Sequence, residues 1–219
     1  MLMNAKNLIF QGHANERKAI ENSIFGRELE DYEYAQIAGV CVPNVIVTVV
    51  YKNIAYPDHP IQIKAKSEQA DQFSVMLLLQ KDAMVMESIA LAEGQRGAGT
   101  GREVFYHIAK KAAELGFQTI KGTALRKHAA DPNTQYSGYK AVVRWGFNGQ
   151  VPDQVRAALP EKFKGVKDLQ TLGQTKEGRD AWSEHGANAS VEFDLSPESK
   201  GWDILGTPPN AAGNDEAKK

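Results

Sequence analysis

Two apolar runs are joined by only two residues, and this link constrains the fold more than any other feature of the sequence. Residues 73–80 (FSVMLLLQ) and residues 83–92 (AMVMESIALA) are separated by Lys81-Asp82. Two residues can join antiparallel strands, whereas parallel strands need a crossover of a dozen residues or more. The sequence therefore predicts an antiparallel hairpin, which residues 61–66 extend to a meander.

A glycine-rich segment follows the second strand of this hairpin. Three alternating glycines lie between two arginines, namely Arg96, Gly97, Gly99, Gly101 and Arg102. Residues 103–115 then repeat apolar side chains at helical spacing, and Gly116 is a typical helix stop. The first N–H groups of a helix lack internal partners, and the helix dipole adds positive charge there. The segment therefore predicts a loop that binds a diphosphate.

Two nucleotide-binding motifs contain similar glycines. A Walker loop ends in Gly-Lys-Ser/Thr, whereas Gly101 is followed by Arg102 and Glu103. A dinucleotide fingerprint has the spacing Gly-x-Gly-x-x-Gly in a βαβ unit, with an acidic residue about 20 positions later. Here the spacing is Gly-x-Gly-x-Gly, residues 119–125 contain no acid, and a meander precedes the loop. The sequence excludes the first motif and disfavours the second.

The remaining segments predict an α+β fold with one mixed sheet. Further strands are expected at residues 7–11, 36–42, 45–51, 119–125 and 190–195. Helices are expected at residues 14–34, 103–116, 134–145, 154–159 and 166–185, with a loop at residues 126–133. We expect a single domain over residues 1–205, a helical insert at about residues 148–189, and a disordered polar tail at residues 206–219.

The composition disfavours several classes of protein. A net charge of −1 gives no indication of nucleic acid as a partner. Cys41 is the one cysteine, so no internal disulfide is possible, and the five histidines show no metal-ligand spacing. No apolar run approaches transmembrane length, and no signal peptide is recognisable, so we expect a cytoplasmic protein without a metal or a membrane partner. Association as a homodimer stays open.

The glycine-rich segment resembles the Q/R-x-x-G-x-G/A pyrophosphate motif of the GNAT superfamily of acyl-CoA-dependent N-acyltransferases. In that family the motif follows the fourth strand of an antiparallel meander and opens the central helix. A parallel strand comes next, followed by a helix that often ends in a Gly-Phe pair, here Gly146-Phe147. The resemblance covers roughly residues 61–147. It implies a GNAT-like mixed sheet, acetyl-CoA as the cofactor, and direct attack of an amine on the thioester.

The resemblance also assigns the coenzyme site. The diphosphate would bind to Arg96, Gly97, Ala98, Gly99, Thr100, Gly101 and Arg102. The backbone of Ile89, Ala90 and Leu91 would hold the pantetheine arm, and an N–H group there would polarise the thioester carbonyl. Asn133 is either a coenzyme contact or a helix cap.

Two residues are the expected proton carriers. Glu87 is the only carboxylate in an otherwise apolar strand, and burial there would favour a general base; the alternative is a glutamate in solvent. Many family members have a tyrosine four positions before the glycine of the Gly-Phe pair, where this sequence has Val142. Tyr139, about one turn earlier, is the expected general acid, with packing in the core as the alternative.

The activity that the resemblance implies is that of an N-acyltransferase, and it leaves open whether the amine acceptor is a protein or a small molecule. Val142 and the long insert leave a second function open. The chain would then be a non-catalytic GNAT-fold module that binds coenzyme A or a partner in a phage or mobile-element assembly. Residues 138–147 and 177–182 are also similar to GNAT-like domains of large phage and mobile-element proteins.

Overall fold

The structure is a computed structural model that describes residues 7–40, 44–52, 58–67, 73–91, 99–128, 131–135 and 138–207, without the side chains of residues 127–128 and 131–135. These residues fall into two compact units. The first contains the described residues up to Ile120 together with Thr207, and the second contains residues 121–206. Cys41 and the predicted tail beyond residue 207 lie outside the described residues, and the expectation of one domain stays a prediction.

The described elements make up an α+β fold. The strands are β1 (Leu8–Gly12), β2 (Val45–Tyr51), β3 (Ile61–Ser67), β4 (Phe73–Leu79), β5 (Ala83–Leu91), β6 (Thr119–Ala124), β7 (Lys127–His128), β8 (Asp131–Gln135) and β9 (Ala189–Asp194). The helices are α1 (Arg17–Phe25), α2 (Asp31–Ile37), α3 (Thr100–Glu114), α4 (Gly138–Arg144), α5 (Asp153–Ala158), α6 (Leu169–Gly173), α7 (Lys176–His185) and α8 (Lys200–Leu205). Seven strands form a mixed sheet in the order β1-β2-β3-β4-β5-β6-β9, and β7 pairs with β8. The predicted fold class is therefore confirmed.

The predicted meander is present in the first unit. β2, β3, β4 and β5 pair in succession, each antiparallel to the one before, and β1 lies parallel to β2 at the edge. The hairpin of β4 and β5 turns at Lys81-Asp82, where the N–H of Gln80 donates to the carbonyl of Ala83 at 2.9 Å. The two-residue link thus determines this hairpin, as expected.

Two predictions for the segment before β2 are wrong. The expected helix over residues 14–34 is two helices, because Gly26 ends α1 with a φ of +70°. The expected strand over residues 36–42 is wrong in its first residues, since α2 continues to Ile37. A reciprocal capping box starts α2, with the Glu30 and Glu33 side chains each accepting from the other's backbone N–H. This local capping, together with the burial of Tyr34 and Ile37, outweighs the strand propensity of the residues that start the expected strand.

The α3 helix packs through the predicted apolar face. Its fully buried residues are Val104, Phe105, Ile108, Ala109 and Ala112. The α2 helix ends against it at Gly39, where an added Cβ would lie 2.5 Å from the carbonyl oxygen of Val104. Lys111 lies outside this apolar face, yet it is only 12% exposed and pairs with Glu33. The reason is that α2 covers this part of α3.

A buried carboxylate joins α1, α2 and β2. Glu21 is fully buried and accepts from the Tyr34 hydroxyl at 2.5 Å and the Tyr51 hydroxyl at 3.1 Å. Arg17 donates to the same carboxylate at 2.6 Å, and the N–H of Leu29 donates at 2.8 Å. A buried charge is tolerated when it is paired and hydrogen-bonded in this way.

The second unit differs from the prediction between β6 and α4. The expected loop at residues 126–133 and the start of the expected helix at residues 134–145 form β7 and β8, and α4 begins at Gly138. These strands are polar and lack the alternation that identifies a strand in sequence. The segment expected as a helical insert contains α5, α6 and α7, while α8 was not predicted.

Candidate functional site

The β5 strand contains a bulge at Glu87. Met86 lies opposite Leu77, and Ser88 lies opposite the preceding residue of β4, Met76, so Glu87 is the extra residue. Ala83 and Met84 before the bulge are buried, whereas Glu87, Ser88 and Ala90 are exposed. Because a bulge bends its strand and changes the direction of its side chains, the second half of β5 faces solvent directly before the glycine-rich segment.

The chain enters α3 through Gly99. This residue has a φ of +86°, a left-handed conformation that favours glycine, and no side chain caps the helix there. The backbone bond from the N–H of Glu103 to the carbonyl of Gly99, at 3.0 Å, is the first of the helix. The N–H groups of Thr100 and Gly101 precede it and have no acceptor within the helix. A Cβ added at Gly99 would meet nothing within 4 Å among the residues that the structure describes. N–H groups without an internal acceptor are the groups with which a helix start binds an anion.

Several predicted coenzyme residues lie beyond what the structure describes. Arg96, Gly97 and Ala98 are outside the described residues, as is the side chain of Asn133. The backbone of Asn133 lies within β8, five residues before α4 begins, so the helix-cap interpretation is wrong. Its role as a coenzyme contact stays a prediction. The described part of the predicted coenzyme site is therefore the start of α3 and the exposed half of β5.

The expected proton carriers lie in different units. Glu87 is exposed, so the burial that was expected to favour a base is absent. Tyr139, in the second unit, is 4% exposed, and its hydroxyl donates to the carbonyl of Ser183 at 2.7 Å. The indole of Trp182 donates to the Tyr139 carbonyl at 2.6 Å. These contacts anchor Tyr139 in the core, and its role as general acid stays a prediction.

The sequence did not reveal an ion cluster, formed around the buried carboxylate of Glu33, that joins α2 to α3. Arg27 donates to both carboxylate oxygens of Glu33, at 2.7 and 2.6 Å, and Lys111 donates to one of them at 2.8 Å. The Arg27 bonds are the main cause that lowers the pKa of Glu33 to about 2, against the opposing effect of burial; Lys111 lowers it further. Charged residues on a helix are usually solvated. Glu33 and Lys111 are 78 positions apart in the sequence, so no local sequence pattern predicts their contact.

Other types of site find little support in the described parts of the chain. No three His, Cys, Asp or Glu side chains there are grouped as a metal site. No helix among the described residues is both long and apolar enough to cross a membrane. The second unit has a polar groove, lined by Asn148, Gly149, Gln170, Glu192, Asp194, Ser199 and Lys200. None of the predicted site residues lines this groove.

No family model matches the sequence, and no curated protein matches it. Solved structures are similar to part of the chain. Nourseothricin acetyltransferase is 17% identical over 64% of this chain and 66% of its own, with a TM-score of 0.35. This chain thus spans about two thirds of that protein.

Two further matches come from named bacteria. The IAA acetyltransferase of Bacillus cereus is 14% identical over 68% of this chain and 99% of its own, with a TM-score of 0.36. A GNAT family acetyltransferase of Elizabethkingia anophelis, solved with acetyl-CoA bound, is 11% identical over 70% and 99%, with a TM-score of 0.35. At these identities and TM-scores the likeness says nothing of substrate or activity. All three of these proteins are acetyltransferases, and the one from Elizabethkingia anophelis is a member of the GNAT family.

Proposed function

We propose that the chain is an acyl-CoA-dependent N-acyltransferase that moves an acyl group, here taken as acetyl, to an amine. One observation carries this proposal. The exposed, bulged half of β5 leads through the glycine-rich segment into the uncapped start of α3. Coenzyme A contains a diphosphate next to an extended arm with two amide groups. An uncapped helix start suits the diphosphate, and an exposed strand suits the amides.

The described residues would hold the coenzyme mainly through their backbone. The N–H groups of Thr100 and Gly101 would donate to phosphate oxygens, and Arg102 would add positive charge. The backbone of Ile89, Ala90 and Leu91 would bind the arm along β5. An N–H group in this segment would donate to the acyl carbonyl oxygen, which gains negative charge as the amine adds. The bound coenzyme supplies the thioester; the C–N bond forms, the C–S bond breaks, and the amine loses a proton.

Glu87 is the proposed acceptor of that proton. The bulge places it at the start of the exposed half of β5, where a water or an amine can reach its carboxylate. The Glu87→Gln variant keeps the shape and removes the base. We expect kcat to fall about 100-fold while the Kd for acetyl-CoA stays the same. An unchanged kcat would remove Glu87 from the mechanism.

The coenzyme proposal is tested by isothermal titration with acetyl-CoA, coenzyme A, ATP and NAD. A Gly99→Asp variant adds a negative charge at the start of α3 and keeps a residue type that tolerates both the cap position and left-handed backbone. We expect acetyl-CoA affinity to fall at least 100-fold. Gly116→Asp is the matched control, since Gly116 has the same φ of +86° and equally open surroundings. Absence of acetyl-CoA binding at millimolar concentration, or tighter binding of ATP or NAD, would contradict the proposal.

A second candidate is a non-catalytic module that binds coenzyme A. Two observations favour it: Val142 is a buried valine at the position of the usual tyrosine, and the Tyr139 hydroxyl is already bonded to Ser183. This candidate predicts acetyl-CoA binding without release of free thiol for any member of a broad amine panel. Thiol release that depends on an amine would exclude it.

A further inference from the structure

Among the described residues, the first unit's strands have one buried face and one that is exposed in part. Phe10 of β1 is paired with Val49, which is paired with Ile63, which is paired with Leu77, so the four residues form one row across the strands. Val49, Ile63 and Leu77 are fully buried. The α1 and α2 helices contact this buried face, because the Arg17 guanidinium lies 4.3 Å from the Phe10 ring and the Tyr34 ring 5.7 Å from it. The α3 helix is joined to α2 on the same side through Lys111 and Glu33. The residues that alternate with the buried row point to the opposite face. On that face Gln62 and Leu78 are buried, whereas Lys64, Lys66, Ser88 and Ala90 are exposed, and we call the part formed by these four residues the open face.

The open face places two lysines beside the exposed half of β5. Ser88 is paired with Met76, which is paired with Lys64, so the three form one row across β5, β4 and β3. Paired residues of neighbouring strands share a face. The next row contains Ala90, Ser74 and Lys66.

Lys64 and Lys66 are therefore two strands away from β5. Strands lie about 4.8 Å apart, so the Cα of Lys64 is about 10 Å from that of Ser88. Because a lysine side chain has a flexible four-carbon stem, the ammonium group of Lys64 can lie closer to Ser88 than its Cα does.

In the rows of Ser88 and Ala90, the described residues carry positive charge only. Lys64 and Lys66 are exposed, and neither forms an ion pair with any residue that the structure describes. The residues paired with them in the rows of Ser88 and Ala90 include no Asp or Glu. Two like charges at alternate positions of one strand repel each other, so an anion placed between them is attracted to both.

We propose that Lys64 and Lys66 select acceptor amines that also carry an anionic group, a carboxylate or a phosphate, about 10 Å from the reacting nitrogen. The inference rests on the proposed function, in which the second half of β5 holds the thioester. Since α1, α2 and α3 lie on the other side of these strands, an acceptor held by this unit approaches β5 from the open face. An anionic group on the far side of the acceptor then meets the two lysines, either in an acidic peptide or in a small amino acid derivative.

The test compares amines that differ only in their negative charge. The first pair is two short peptides with a free N-terminus, one with a glutamate after the first residue and the other with a glutamine there. The second pair is a small amino carboxylate and its amide. With acetyl-CoA as the donor, we expect kcat/KM to be at least tenfold higher for the acidic member, mainly through KM. Preference in the peptide pair alone, or in the small pair alone, tells which of the two sources the lysines select.

Variants of the two lysines connect the preference to the open face. In Lys64→Gln/Lys66→Gln the ratio of kcat/KM between the acidic and amide forms should fall close to one, and in Lys64→Glu/Lys66→Glu it should fall below one. Lys81→Gln is the matched control, because Lys81 is an exposed lysine at the opposite end of β5. Equal kcat/KM for acidic and amide forms, or a ratio that survives in the double variants, would overturn this inference while acetyl-CoA turnover still supports the proposed function. Absence of both acetyl-CoA binding and turnover would instead overturn the proposed function itself.

Discussion

Gly116 and Gly146 follow helices α3 and α4 in the same left-handed conformation, and only their surroundings differ. Their φ angles are +86° and +85°. A Cβ added at Gly116 would meet nothing within 4 Å, whereas one at Gly146 would lie 2.3 Å from the carbonyl oxygen of Gly201 in α8. The first glycine is therefore required by backbone conformation alone, and the second also by the close approach of α8.

This difference predicts unequal costs for the same substitution. Gly116→Ala should lower the free energy of unfolding by about 1 kcal/mol, the usual strain of a left-handed alanine. Gly146→Ala should cost about 2 kcal/mol more, because α8 must shift to admit the methyl group. Urea unfolding followed by far-UV circular dichroism measures both. Equal losses would show that the contact with Gly201 adjusts without cost.

For single residues, the sequence predicts the features that depend on the residue's own backbone conformation. Gly116 and Gly146 were identified as helix ends because few other residues adopt the left-handed conformation there. The exposure of Glu87 and the near burial of Lys111 could not be predicted in the same way. Each depends on which distant segment packs beside it, and a bulge at Glu87 leaves no signal in the order of apolar residues.

Elements with strong local signals were predicted closely. The hairpin of β4 and β5 follows from its two-residue link, and the start of α3 differs from the expected residue by only three positions. The polar strand β8 and the start of α2 were missed, because a pairing partner or a capping box determines them and the periodicity of their side chains does not. In the candidate site, the helix that begins within the glycine-rich segment could therefore be predicted from the sequence. The open face became recognisable only from the register of the strands.

The contact between α2 and α3 makes stability depend on pH. The Glu33 carboxyl has a folded pKa of about 2, well below its usual value of 4.5, mainly because of Arg27. A lowered pKa means that the carboxylate stabilises the fold above the unfolded pKa and that this stabilisation is lost as the pH falls toward 2.

We expect Glu33→Gln to lower the free energy of unfolding by about 3 kcal/mol at pH 7, and much less at pH 2. Urea titrations between pH 7 and pH 2 measure this difference. Glu28→Gln is the control, since Glu28 is half exposed and its ion pair is with the exposed Lys18; its cost should stay below about 1 kcal/mol. A cost for Glu33→Gln that does not change with pH would contradict the assignment.

The described parts of the proposed site belong to the first unit alone. β5, the start of α3 and the open face all lie before Ile120, whereas Tyr139 and Val142 belong to the second unit. The boundary between the units falls between Ile120 and Lys121, inside strand β6 and not in a linker. A strand that is shared in this way is expected to unfold as one piece, which would make the unfolding of the whole molecule cooperative.

The tryptophans make this cooperativity measurable. The three in the chain, Trp145, Trp182 and Trp202, all lie in the second unit, so their fluorescence reports on that unit, while far-UV circular dichroism reports on the whole chain. Glu33→Gln changes only the first unit. We expect its urea midpoint at pH 7 to fall by the same amount in both signals, because loss of the first two residues of β6 also disrupts the other four. A fluorescence midpoint that stays at the wild-type value while the dichroism midpoint falls would show that the units unfold independently.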